Sequence, residues 1–452
     1  MRVPPELKLG LFLWGVAIVV PWVRAPAFGP PYSVNAVTIA LFLCGCFFLP
    51  ACSRIVLPLE VVSLRFKLPV IAVLAVVSAI ALAAFYRSSG VRDEASITEI
   101  REAHVSGEVA MDAEQSRLFS LCSPALAFLL FEISLRAKSW RWLITGVLIV
   151  GIVLGMSVIS FGGRFDALCC GLLLVVGIVM RYAAAIRSIP RWRLVTVVGV
   201  LTIGAAVFNA FFAAYRQRDG LEGASTDIYY GIGEEILEPY GLSRMPFAFI
   251  LTVGMVDEYL WRSVERFGMY LEEDDLDPAW GQHNFGILTR RLGYNDGPIL
   301  KVAVDDMYAR YDIDHNVWAT LFRELSIDFK VVGTAVVCIA AGFLFAYCRT
   351  VFCYSWFAGF VAAIIATIVT LSPFTSAIKS VYIQAGLIVG VLLLALDVMS
   401  GYRLTGLFCQ AGDTGDMEES ALNHTYVRNE YFPEVEPNRP EFGREWSRSR
   451  GD

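Results

Sequence analysis

Three stretches of this chain concentrate the residue types that could do chemistry on an anionic substrate. In Ser160–Leu168, SFGGRFDAL, Gly162 and Gly163 permit a tight turn, and Arg164 projects from the start of the next helix. Helix-start N–H groups already carry partial positive charge, so an added guanidinium makes an anion site. The bland alternative is an arginine reaching out to a lipid phosphate. In Tyr215–Gly220, YRQRDG, Arg216 and Arg218 offer planar, bidentate donors suited to a diphosphate. Pairing with Asp219 or Glu222 is the competing reading. The third stretch is Asp314–Gly333, DHNVWATLFRELSIDFKVVG. Its residues Trp318, Leu321, Phe322, Leu325 and Phe329 recur at helical spacing, which predicts a helix with one buried face and a polar face left open. His315 titrates near neutral pH and is a candidate base, or else a cap at the helix start. Asn316, Arg323 and Asp328 are candidate binding residues, although Asp328 could simply pair with Lys330 or Arg323.

Other chemistries find no support. His104, His283 and His315 stand far apart without metal-ligand spacing, and no phosphate-binding glycine loop or GxSxG motif is present. The acidic run Glu272–Asp277 reads as a solvated turn. Neither a metal nor a cofactor is therefore expected.

The elements that must position these residues belong to a membrane protein. The chain has 452 residues, 56% of them hydrophobic and only 18% charged, with mean hydropathy +0.58. Apolar runs long enough to span a bilayer fall near 8–23, 34–50, 68–86, 118–135, 142–160, 167–183, 194–213, 331–348, 351–371 and 380–397. The first lacks a cleavage site and is read as a retained helix. Arg54, Arg65 and Lys67, then Arg136, Lys138 and Arg141, then Arg181, Arg187, Arg191 and Arg193 fall in alternate loops. The positive-inside rule then puts both termini in the cytoplasm. The longer loops, about 87–117 and 214–330, lie on the other side. The second holds 21 acidic against 11 basic residues, a net of −10, which disfavours nucleic acid and anionic lipid as partners there. Within it, Met245–Trp261 is read as a packed or interfacial helix rather than a further span. None of the ten cysteines falls in the large outer loop, so no disulfide is expected. The chain thus divides into a transmembrane domain, 1–400, and a polar, disordered cytoplasmic tail, 401–452. The fold class expected is all-α: a polytopic integral membrane protein of about ten helices with a large extracytoplasmic loop.

This layout, with SFGGRFDAL on a short outer turn and HNVWATLFRELSIDFKVVG leading into a late span, resembles the O-antigen and capsule repeat-unit polymerases of the bacterial inner membrane. Asn316, Val317, Trp318, Thr320, Asp328, Phe329 and Gly333 follow the family's Asn-Val-aromatic-Thr and Asp-Phe-Gly-x-x-Gly runs in outline. The chain departs from them in carrying Lys330 where the first glycine is expected and an extra residue near Ala319. The resemblance implies a type C-like membrane glycosyltransferase, inverting and metal-independent, that joins polyprenyl-diphosphate-linked oligosaccharides at the outer face. Arg164, Arg216, Arg218 and His315 would then be catalytic, with Asn316, Arg323 and Asp328 on the substrate. A chain-length regulator would be a partner beside the lipid bilayer. The alternatives are an O-antigen ligase, for which His315-Asn316 also fits, and a secondary transporter or flippase using Glu132 or Asp397. A purely structural scaffold is a further alternative.

Overall fold

The computed structural model describes residues 3–28, 34–53, 64–88, 113–137, 139–161, 165–183, 224–257, 262–272, 277–285, 320–352 and 354–411. The elements, in order, are α1 (Pro5–Phe28), α2 (Val34–Ala51), β1 (Leu64–Phe66), α3 (Leu68–Ser88), α4 (Ala113–Arg136), α5 (Trp140–Phe161) and α6 (Phe165–Ala183). They continue with α7 (Ala224–Leu237), α8 (Phe247–Val256), α9 (Arg262–Glu272), α10 (Leu321–Val351), α11 (Trp356–Leu371), α12 (Val381–Met399), α13 (Arg403–Phe408) and β2 (Cys409–Ala411). The chain is mostly helical, and nine of the ten apolar runs lie in helices; the run 194–213 falls outside the described residues. Among the described residues, four helices are long and apolar enough to cross a membrane: α3, α4, α10 and α12. None of the nine described cysteines is in a disulfide.

The core is built around α11. Every residue from Trp356 to Leu371 is buried, as expected for a helix that is hydrophobic all round. It packs against α1, α4, α6, α10 and α12, while α4 also carries α3 and α5. Ser355 caps the start of α11 by accepting from the Ala358 N–H. At this end of the bundle the polar groups pair with each other. Glu132 accepts from Arg136 Nε at 2.6 Å and from Trp356 Nε1 at 2.9 Å. Asp397 accepts from the Ser355 hydroxyl, the Thr405 N–H and the Thr405 hydroxyl. The folded chain runs past residue 400: Lys67 N donates to the Phe408 carbonyl, and β1 pairs with β2.

The apolar stretch near 245–261 contains α8, ten residues long. That described length is about 15 Å, half a hydrocarbon thickness. It lies on α7, where a Cβ at Gly233 would come within 2.0 Å of the Ile250 carbonyl oxygen.

One break interrupts α10. Lys330 adopts φ 56°, ψ 176°, a region of backbone space that is essentially glycine's. Three residues on, a Cβ at Gly333 would stand 2.7 Å from Phe329 Cβ, so only glycine fits under the phenylalanine. The break separates a first segment, buried from Leu321 to Asp328, from the apolar helix that follows. Lys330→Gly is expected to raise the thermal stability of the detergent-solubilised protein by about 1 kcal/mol, because relief of strain exceeds the added unfolded-chain entropy. Gly333→Ala is expected to lower it by roughly 1–3 kcal/mol, since no rotamer change can move a Cβ. A higher melting temperature for Gly333→Ala would show that the two segments are not held at this angle.

Candidate functional site

The broken helix creates the site. A helix that ends at Phe329 leaves its last carbonyls without intrahelical donors. The Tyr270 hydroxyl donates to the Ser326 carbonyl at 2.6 Å. Backbone N–H groups of Ala279 and Trp280 donate to the Ile327 and Asp328 carbonyls at 3.0 and 2.9 Å. The segment Asp277–Phe285 thereby lies across the break, turned by Gly281 at φ 89°. Asp328 completes the attachment from the other side. Its carboxylate accepts from the N–H groups of His283 and Asn284 at 2.9 and 3.0 Å, and from Asn284 Nδ2 at 2.7 Å.

That attachment brings His283 to Glu324. The His283 imidazole Nε2 meets Glu324 Oε2, on which Lys379 Nζ also lies at 2.5 Å. Arg323 Nη2 donates to the other oxygen, Oε1, at 2.7 Å. Asn284 joins the remaining elements: its Nδ2 donates to the Glu324 carbonyl, its Oδ1 accepts from the Ser376 hydroxyl, and its own carbonyl accepts from Gln384. Four separate parts of the chain therefore meet here: Asp277–Phe285, the start of α10, the α11–α12 connection and the start of α12. The α10 segment is fixed below by Thr320, whose hydroxyl accepts from the Arg323 N–H, and by the Leu321 N–H donating to the Ser372 carbonyl. Phe322 stacks on Trp14, which also donates to the Ser372 hydroxyl.

The electrostatics follow from burial. Arg323 and Glu324 side chains are 1% and 3% exposed, so two charges have left water and are tolerable only because they are paired. Asp328 is wholly buried amid N–H donors. Arg323 and Lys379 supply two cations and Glu324 and Asp328 two carboxylates, with the His283 imidazole set against Glu324. Within the cluster the Lys379 side chain is 40% exposed and that of His283 16%, while Arg323 and Glu324 are closed off.

Several sequence expectations change. The polar side of Leu321–Asp328 is not an open face; all eight residues are buried, because Asp277–Phe285 and the α11–α12 connection cover it. The Asp328 carboxylate holds a backbone turn at His283 and Asn284. The helix is capped by Thr320 rather than His315. Of the candidate residues, Arg323 and Asp328 are brought together; Arg164, Arg216, Arg218, His315 and Asn316 lie outside the described residues. His283, Asn284, Glu324 and Lys379 were not anticipated. Two signals were available: His-Asn occurs at 283–284 as well as 315–316, and Lys379 is the sole charged residue between α11 and α12. Among the described residues no cluster could hold a metal ion.

Comparison with known proteins adds no relative: no family model, no curated protein and no solved structure matches the chain.

Asp328→Ala strands three N–H donors, two of them in buried bonds, and is expected to cost on the order of 3 kcal/mol. Thermal unfolding measures this, and limited proteolysis should then cut within 277–285. Asp328→Asn, which keeps one acceptor oxygen, should fall between. Unchanged protection of 277–285 in the alanine variant would contradict the attachment described.

Proposed function

We propose that this chain is a membrane glycosyltransferase that polymerises polyprenyl-diphosphate-linked oligosaccharide repeat units at the outer face of a bacterial inner membrane. The observation that supports this reading is the ion cluster around Glu324, buried beside the break in α10 and opened at Lys379. Chemistry on a lipid-linked diphosphate needs fixed positive charge and a proton acceptor at a site shielded from water, next to an apolar span. The cluster supplies both types of group without a metal.

In this reading an acceptor sugar hydroxyl attacks the anomeric carbon of the donor. The carbon–oxygen bond to the diphosphate breaks, and polyprenyl diphosphate leaves with the electron pair. His283 takes the hydroxyl proton. A carboxylate on Nε2 fixes the tautomer with its lone pair on Nδ1 and stabilises the imidazolium that forms, so Glu324 positions and charges the base. Lys379, at the exposed edge, faces the diphosphate, with Arg323 buried behind it on Glu324. Arg164, Arg216 and Arg218 are likewise assigned to the diphosphate charge. His315 and Asn316 precede the same helix and contribute to substrate binding. The positive-inside distribution puts both termini in the cytoplasm, with a chain-length regulator acting from outside the chain.

The size distribution of surface polysaccharide in a deletion strain tests this. The expected result is glycan stopped at one repeat unit, with a full ladder restored by the intact gene. His283→Ala, present in the membrane at normal abundance, should lower polymer formation by roughly 100-fold or more. Lys379→Ala, at the exposed edge, should weaken it without loss of protein. Full-length polymer held on the polyprenyl carrier would instead make the chain a ligase. An unchanged profile would exclude both and leave a transporter.

A further inference from the structure

The opposite end of the bundle carries a second constellation that the proposed reaction does not use. Arg65 on β1, Arg136 at the end of α4, Ser139 in the following turn and Trp142 on α5 line one cavity of about 360 Å³. Arg136 is held rigidly. Its Nε meets Glu132 and its Nη2 donates to the Phe66 carbonyl, both at 2.6 Å, and its guanidinium lies 5.2 Å from the Trp142 ring centroid. The Glu132 carboxylate is wholly buried and shared between Arg136 and the Trp356 indole, so it is the guanidinium of that pair that the cavity meets. Exposed Arg141, next to Trp142 in the first turn of α5, adds a further cation.

We infer that this cavity binds the phosphate of an anionic phospholipid headgroup. Guanidinium groups are the side chains best matched to phosphate oxygens. Basic pockets between helices at a bilayer surface take lipid headgroups by the same match. Trp142 supplies the amphipathic ring that settles at headgroup depth. The volume exceeds what one phosphate needs and falls at the lower end of small-molecule sites, about 300–1,000 Å³, leaving room for glycerol beyond it. Ser139 is exposed and places a hydroxyl at the rim.

The test uses full-length protein stripped of lipid in a neutral detergent, with phosphatidylglycerol, phosphatidylcholine and inorganic phosphate as separate probes. Binding is read by native mass spectrometry and by the shift in melting temperature. Phosphatidylglycerol is expected to bind at least tenfold more tightly than phosphatidylcholine and to raise the melting temperature. Arg65→Gln should weaken it about tenfold with the lipid-free melting temperature unchanged. Ser139→Glu sets a carboxylate at the exposed rim without disturbing packing and should weaken it equally, which keeps the test valid if the arginine variant folds poorly. Displacement of the lipid by millimolar phosphate, with the same stabilisation from phosphate alone, would make free phosphate the ligand and overturn the lipid assignment. Equal binding by wild type and both variants, or no preference over phosphatidylcholine, would overturn the site.

Discussion

An interrupted helix in apolar surroundings must find new donors for the carbonyls it releases, because little water is there to take them. The break at Lys330 sets that requirement, and much of the site's arrangement answers it. Asp277–Phe285 is drawn across the break by two backbone bonds, and the Asp328 carboxylate accepts three bonds from the same segment. A segment tied at both ends has little freedom left, so the imidazole of His283 is delivered to one place. Glu324 meets it there because it sits one turn before Asp328 on the same helix. The catalytic reading of His283 thus depends on a backbone constraint rather than on any attraction between the imidazole and its surroundings.

The same physics acts at the far end with a different outcome. Glu132 and Asp397 are buried acids too, but their partners are an arginine, an indole, hydroxyls and an N–H group that fix helix ends against each other. Of that set, Arg136 lines a cavity. Both buried acids serve as joints, which weakens the case for using them as carriers of an ion or proton. Between the two ends stands α11, shielded on every side, so that each joint is braced against a helix whose residues are all packed.

How much of this was legible beforehand depends on which physical signal each feature sends. The helices were readable because apolar residues rarely run on for the width of a bilayer unless lipid or a deep core surrounds them, and the sequence bounds agree with the observed ones within a few residues at most ends. The break was half readable: Gly333 and the departure at Lys330 marked the place, but no pattern tells that a lysine will hold a glycine's conformation. Arg323 and Asp328 were named as candidate binding residues on an open polar face, and that face is covered, since a helical periodicity shows which face is apolar and not what covers the polar one. His283 and Lys379 were missed because their partners lie about 40–55 residues away. Local spacing carries no record of such pairings.

The adjacency of Arg323 and Glu324 has a consequence for how the chain is made. A ribosome delivers Glu324 well before Lys379, which comes 55 residues later on the partner loop. At several residues per second, that interval lasts seconds. An acidic side chain waiting that long beside a newly inserted span would be an obstacle if it stood alone. Here its immediate neighbour is its counter-ion, so the segment can enter the translocon as a self-neutralised pair and exchange part of that pairing once the last helices arrive.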